Sequence, residues 1–169
     1  TQQELKELGI EAEVLPLPPA KLFPLMDLPK DFTVACYIPQ INTNFYRPAE
    51  MLEIAKKLSD VKFKFFGNPA QSGQDQNVPN VEHCGYVTDM ENFIKECSAI
   101  MRFPLHDGLP LGVLEFILAG RYSIQSVPIK FSQWLPEFNI DAAVEALKAL
   151  KETVAKNGQN KEGSDYWRT

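Results

Sequence analysis

The chain has 169 residues, 44% of them hydrophobic, enough to bury one sizeable core and within the usual length of a single domain. Its 17 basic and 22 acidic residues leave a net charge of −5, and no stretch interleaves Lys and Arg with aromatics, so nucleic acid is excluded as an expected partner. No apolar run approaches the ~18 residues of a spanning helix, and TQQELKELG lacks the charge and the apolar segment of a secretory signal, which points to a cytoplasmic chain or one bound to a membrane only peripherally.

Residues 1–31 read as a linker leading into the domain: a short polar, helix-like piece, then a brief apolar strand and the proline-rich run of EAEVLPLPP. A cleaner rhythm starts at Phe32. FTVACYI is a β-rich run, the polar loop PQINTNFYR follows, and PAEMLEIAKKL is a helix with Pro48 in its first turn, where a missing N–H costs nothing. VKFKFFG is a second strand, and the loop NPAQSGQDQNVPN leads to a short third strand in VEHCGYV. TDMENFIKEC begins with Thr88 as the expected N-cap and Glu91 three residues later, the spacing of a capping box. SAIMRFP is a fourth strand, LGVLEFILAG an apolar helix closed by Gly120, and RYSIQS a fifth strand. The last helix, DAAVEALKALKETVAKN, is amphipathic, with Ala143, Leu147 and Leu150 among its apolar positions. The domain is therefore expected to run from 32 to 157, with 158–169 a polar, frayed tail in which Tyr166 and Trp167 are out of character. Cys36, Cys84 and Cys97 are odd in number and widely spaced, suggesting neither a disulfide framework nor a zinc site, and are expected to be buried thiols.

Strands alternating with helices of about ten residues imply right-handed crossovers and a doubly wound, parallel α/β sheet covered on both faces. Ligands of such sheets bind beyond the carboxyl ends of the strands. The loops after Ile38, Phe66, Glu82 and Phe103 are expected to gather there, the last of them within HDGLPLGVLE, residues 106–115.

In that decapeptide, Gly108 relieves backbone constraint after the strand, and a helix starting near Leu111 aims unpaired N–H groups at the crevice, where an anion fits. Pro110 supplies no donor, so the N–H groups come from Leu109, Leu111, Gly112 and their neighbours. Glu115 lies about one turn into the helix, and a carboxylate there can accept two hydrogen bonds from a vicinal diol such as a ribose offers. On spacing alone a second reading stands beside this one, in which Asp107 caps the helix and Glu115 merely complements its dipole.

HDGLPLGVLEFILAGRYSI resembles the E-x7-E region of family 4 glycosyltransferases, in the variant whose first acidic residue is Asp within His-Asp-Gly-Leu. The likeness extends in order over roughly residues 32–127. FTVACYIPQINTNFYRPAEMLEIAKKL is similar to the first strand, loop and helix of their C-terminal donor-binding domain, VKFKFFGN to its second strand, and VPNVEHCGYVTDMENFIKEC to the segment with a base-contacting turn. The resemblance implies the Rossmann-like C-terminal half of a GT-B enzyme, which holds the nucleotide sugar. By it Glu115 binds the donor ribose, Asp107 contacts hydroxyls of the transferred sugar, Gly108 and Leu109 offer backbone groups near sugar and phosphate, and Gly85, Tyr86 and Val87 border the base. His106, otherwise a structural histidine, stands near the phosphates or sugar. No metal or other cofactor is implied, because GT-B enzymes use helix dipoles and basic side chains where other transferases use a divalent ion.

One departure concerns the diphosphate. The family carries Gly-Arg after the first strand and a Lys shortly afterwards, whereas this chain has Cys36-Tyr37-Ile38-Pro39. Arg47 and Arg102 are the candidate replacements, against the alternatives of a surface charge at a helix start and an ion pair at a strand end.

The expected function is that of the donor domain of a retaining, hexosyltransferase-type glycosyltransferase using a UDP-, GDP- or ADP-sugar. Its glycan, lipid or small-molecule acceptor is expected to be held by an N-terminal domain that nothing before Phe32 can form, so the isolated domain is expected to be inactive alone. Two alternatives remain: a nucleotide-sugar epimerase on the same plan, and a non-catalytic nucleotide-binding module. A hydride-transferring Rossmann enzyme is disfavoured, since no G-x-G-x-x-G follows the first strand.

Overall fold

The computed structural model describes residues 2–13, 21–39, 44–67 and 78–168. The apolar runs form strands β1 (Thr33–Tyr37), β2 (Lys62–Phe66), β3 (Val81–Gly85), β4 (Ala99–Arg102) and β5 (Tyr122–Gln125), joined by a sixth, β6 (Gln133–Trp134). All neighbours pair in parallel in the order β3-β2-β1-β4-β5-β6. Between and around them run helices α1 (Gln2–Glu7), α2 (Pro48–Lys57), α3 (Met90–Lys95), α4 (Leu111–Leu118), α5 (Ile140–Asn157) and α6 (Lys161–Tyr166), with a 3-10 turn at Asn44–Tyr46. The architecture is the doubly wound, Rossmann-like α/β sheet that the alternation of elements implies. The brief strand and proline-rich run at 14–19, and the loop at 68–77, lie outside the described residues.

Because both faces of the sheet are covered, the central strands bury successive residues on opposite sides. Val34 and Cys36 of β1 pack under α2 and α5 with Ile54, Phe63, Met101 and Leu147, while Ala35 faces the other way, into Phe93, Ile100, Leu114 and Ile117 under α3 and α4. Each large aliphatic or aromatic side chain so buried contributes about 1.5–3 kcal/mol.

Several expectations change. Asp89, not Thr88, caps α3, its carboxylate accepting from the Asn92 N–H at 3.1 Å. β3 runs on past Glu82 to Gly85, which moves the third loop three residues along. Of the three thiols, Cys36 and Cys97 are buried but Cys84 is only half-buried on the edge strand, with burial pushing its thiol up to about 11 and that of Cys97 up to about 12.

The two ends of the chain depart most from expectation. Within the leading segment, Phe23 and Met26 are core residues at 3% and 5% exposure. Arg121, fully buried, ties this segment down, its guanidinium donating to the carbonyls of Ile94 (3.1 Å), Met26 (2.8 Å) and Asp27 (2.7 Å). The polar residues after Asn157 do not fray. Asn160 accepts from the Gly163 N–H at 3.2 Å and donates to the carbonyls of Phe131 and Arg121, and Ser164 Oγ donates to the Leu118 carbonyl at 2.6 Å. A Cβ at Gly163 would stand 2.7 Å from Asn160 Oδ1, so this turn closes only around glycine. Trp167 and Arg168 complete the seam, with Arg168 donating to the carbonyls of Phe23 and Leu118.

Candidate functional site

The strand order reverses between β1 and β4, so the chain leaves their carboxyl ends in opposite directions and opens a crevice between the two connections. A cavity of about 240 Å³ lies there. Its walls include Tyr37 and Arg102, the last residues of β1 and β4, together with Phe66, the first turn of α4, and Glu115.

Arg102 is the cation of this cavity. Its Nε donates to Asp107 Oδ2 at 2.7 Å, and the two side chains keep only 16% and 14% of their exposure. The guanidinium carbon lies 5.2 Å from the Tyr37 ring centre and 5.7 Å from that of Tyr46, within cation–π range. Tyr37 in turn packs edge-on against Tyr46 and tilted against Phe66. Asp107 Oδ1 accepts from the Gly108 N–H at 3.0 Å, so both carboxylate oxygens have partners. The capping alternative for Asp107 does not hold: the residue before α4 is Pro110, with no side-chain cap bond.

The start of α4 is open. The N–H groups of Val113 and Leu114 both turn back to the Pro110 carbonyl (2.9 and 3.3 Å), while those of Leu111 and Gly112 have no acceptor among the described residues. A Cβ placed on Gly108 or Gly112 would meet nothing within 4 Å, so the protein itself leaves this ground empty. Glu115 projects from the same helix and is half-buried. Its carboxylate has no hydrogen bond or ion pair among the described residues, and desolvation holds its pKa above the ordinary value.

The remaining sequence candidates are dispersed around this centre. His106 and Leu109 are exposed on the loop between β4 and α4. Gly85, Tyr86 and Val87 sit at the carboxyl end of β3, the edge strand, with Tyr86 73% exposed. Arg47 takes the left-handed conformation (φ 53°) at the start of α2 and turns to protein partners: Nε donates to the Phe103 carbonyl at 3.1 Å, Nη1 lies 3.8 Å from Glu50, and the guanidinium covers the Phe138 ring at 4.5 Å. The structure thus brings Arg102 and Glu115 to one crevice, bonds Asp107 to Arg102, and sends Arg47 elsewhere. Tyr37 and Tyr46 escaped the sequence reading; the signal available was their place at the end of β1 and in the connection after it, where the resemblance expects a cation. Among the described residues no three His, Cys, Asp or Glu side chains gather as a metal would need, and no helix is long and apolar enough to cross a membrane.

No family model and no curated protein matches the sequence. Solved structures do match the fold. Sucrose-phosphate synthase from Thermosynechococcus elongatus covers 99% of this chain with a TM-score of 0.80 at 14% identity, and this chain spans 51% of it. The C-terminal domain of LpcC, a glycosyl transferase group 1 family protein from Francisella tularensis, covers 89% with a TM-score of 0.65 at 12% identity, and is itself spanned over 95%. The pneumococcal O-GlcNAc transferase GtfA, solved in complex with UDP and GlcNAc, covers 99% with a TM-score of 0.60 at 15% identity and is spanned over 42%. These neighbours are GT-B glycosyltransferases, and the chain has the Rossmann-like fold of a GT-B C-terminal domain, about half the length of the larger neighbours or less.

Proposed function

We propose that the chain is the nucleotide-sugar-binding half of a retaining glycosyltransferase, passing a hexosyl unit from a UDP-, GDP- or ADP-sugar to a glycan, lipid or small-molecule acceptor. The acceptor is held by a domain outside this chain, and the reaction proceeds in the cytoplasm, at a membrane surface where the acceptor is a lipid. One observation carries the reading: Glu115, a half-buried carboxylate with no partner among the described residues, stands in the switch-point cavity beside the open N–H groups of α4. A burial penalty left uncompensated by the protein is what a ligand diol would offset, each charge-assisted bond contributing about 1.5–3 kcal/mol. The diphosphate then lies toward the helix start, where the backbone donors and the helix dipole favour negative charge. Gly85, Tyr86 and Val87 border the base, His106, Gly108 and Leu109 follow the phosphates and sugar, and Asp107 stands at the sugar end. Arg102, which lines the cavity, is the candidate cation, while Arg47 is turned to other partners. The GT-B fold and the UDP held by the neighbour GtfA support this assignment.

The experiment is a thermal-shift panel of UDP, GDP, ADP and their sugars. At about 100 times its dissociation constant a ligand adds roughly 2.7 kcal/mol, a rise of about 5–10 °C for a domain of this size. A flat panel at millimolar concentration removes the reading. A second reading, a nucleotide-binding module without transfer, is favoured by the lack of any Lys or Arg in residues 38–46. Transfer of labelled sugar to an acceptor by the polypeptide containing both domains separates the two.

A further inference from the structure

We infer that Arg102 is the side chain that takes the diphosphate in this crevice and that Asp107 is a positioning residue acting through it, rather than a direct contact to the transferred sugar. The inference deepens the proposed function and rests on its reading that the crevice takes a nucleoside diphosphate.

The segments that follow β1, β2, β3 and β4 in sequence, residues 38–46, 67–80, 85–90 and 103–110, contain no Lys or Arg. Lys130, after β5, lies over the Tyr166 ring, and Arg47 spends its guanidinium on the Phe103 carbonyl, Glu50 and Phe138. Arg102 alone among these cations lines the cavity. Asp107 engages only its Nε, and neither Nη has an acceptor among the described residues. A guanidinium held at Nε keeps its two outward N–H pairs in one plane, and the rings of Tyr37 and Tyr46 restrict how that plane can turn. That is the geometry for accepting a phosphate bidentately with the ordering entropy already met.

Asp107, by contrast, has little left to offer a sugar. One oxygen accepts from Arg102 and the other from the Gly108 N–H, and its side chain is only 14% exposed. Its carboxylate neutralises Arg102 in the empty crevice, so the arginine can wait there without an anion and without the cost of an unpaired, partly buried charge.

Calorimetric titration of the chain with inorganic pyrophosphate, with UDP, GDP and ADP, and with uridine, guanosine and adenosine tests this. Arg102→Gln is expected to weaken pyrophosphate, and whichever diphosphate binds, by about tenfold to a hundredfold, with the nucleoside unchanged. Asp107→Ala is expected to weaken pyrophosphate severalfold, and Asp107→Asn, which keeps an oxygen for Nε, to restore most of it. Asp107→Ala in the Arg102→Gln background is expected to add nothing, since there is no guanidinium left to position. Should Arg102→Gln fail to fold, Arg102→Lys keeps the charge, loses the planar fork and is expected to fall between. Wild-type pyrophosphate affinity in Arg102→Gln overturns the assignment, and tighter pyrophosphate binding by Asp107→Ala makes Asp107 a counter-charge only, overturning its positioning role. Arg102-dependent pyrophosphate binding with no nucleotide bound supports Arg102 while removing the nucleotide reading. A nucleoside bound with no gain from its phosphates does the reverse.

Discussion

Tyr37 lays its ring over Gly67, so close that a Cβ on Gly67 would stand 2.6 Å from Tyr37 Cε2 and 2.9 Å from Cδ2. Gly67 also has a φ of +102°, where side-chain-bearing residues are strained. Gly67→Ala is expected to cost about 2–4 kcal/mol from strain and clash together, read as a fall in melting temperature. Adding Tyr37→Ala is expected to recover the clash but not the backbone strain, leaving the double variant less destabilised than the two losses summed.

Glu115 makes stability depend on pH in an unusual direction. Desolvation raises its folded-state pKa, so between the ordinary and the raised value the folded chain holds a proton that the unfolded chain has lost. Its contribution is present below the ordinary carboxylate pKa of about 4.3 and is lost as pH rises through the raised one. Glu115→Gln is therefore expected to be more stable than wild type at pH 7, with the difference vanishing near pH 4. Urea midpoints at the two pH values check this, and a stabilising substitution that abolishes ligand binding is the signature of a group kept for function.

In the nucleotide panel, Glu115→Ala is expected to erase the thermal shift, whereas His106→Ala, at an exposed loop position, leaves most of it. EDTA is expected to leave the wild-type shift unchanged, because helix start and arginine supply the positive potential at the phosphates. A shift that EDTA removes counts against the metal-free phosphate site, and one that Glu115→Ala does not change counts against the ribose role of Glu115.

Asn160 is buried, accepts from the Gly163 N–H and donates to the Arg121 and Phe131 carbonyls. Asn160→Ala leaves these groups without a partner and is expected to cost about 2–3 kcal/mol, measurable as a lower urea midpoint. Thr88→Ala, at the position that sequence alone marks as a cap, is expected to change little, while Asp89→Ala is expected to cost about 1 kcal/mol.

The contrast between those two caps shows where sequence reasoning stops. Five strands and the main helices were legible because apolar runs and 3.6-residue periodicity report burial directly. Thr88 and Asp89 are both good capping types, and only the backbone path decides which faces the Asn92 N–H. β6 is two residues long, and its pairing with β5 rests on Ile124 and Gln125 meeting Gln133 and Trp134. No run of that length carries a pattern. α6 contains a glycine and mostly polar residues, and what holds it is a set of tertiary hydrogen bonds from Asn160 and Ser164. At the site, Glu115 could be singled out from its place in the helix, but the tie between Arg102 and Asp107 crosses from a strand end into a loop, with no spacing rule to announce it.

The seam between the two ends of the chain bears on the order in which the molecule can assemble. Gln159 donates to the Met26 carbonyl across 133 residues of sequence, and Arg168 reaches the Phe23 carbonyl across 145. Contacts so distant in sequence must await closure of nearly the whole chain, which slows folding. During synthesis, residues 21–27 would lack the last of their partners until residues 159–168 had followed. Until then the segment would be held by Arg121, the Ala119 carbonyl and the packing of Phe23 and Met26, without the closing bonds from Gln159 and Arg168.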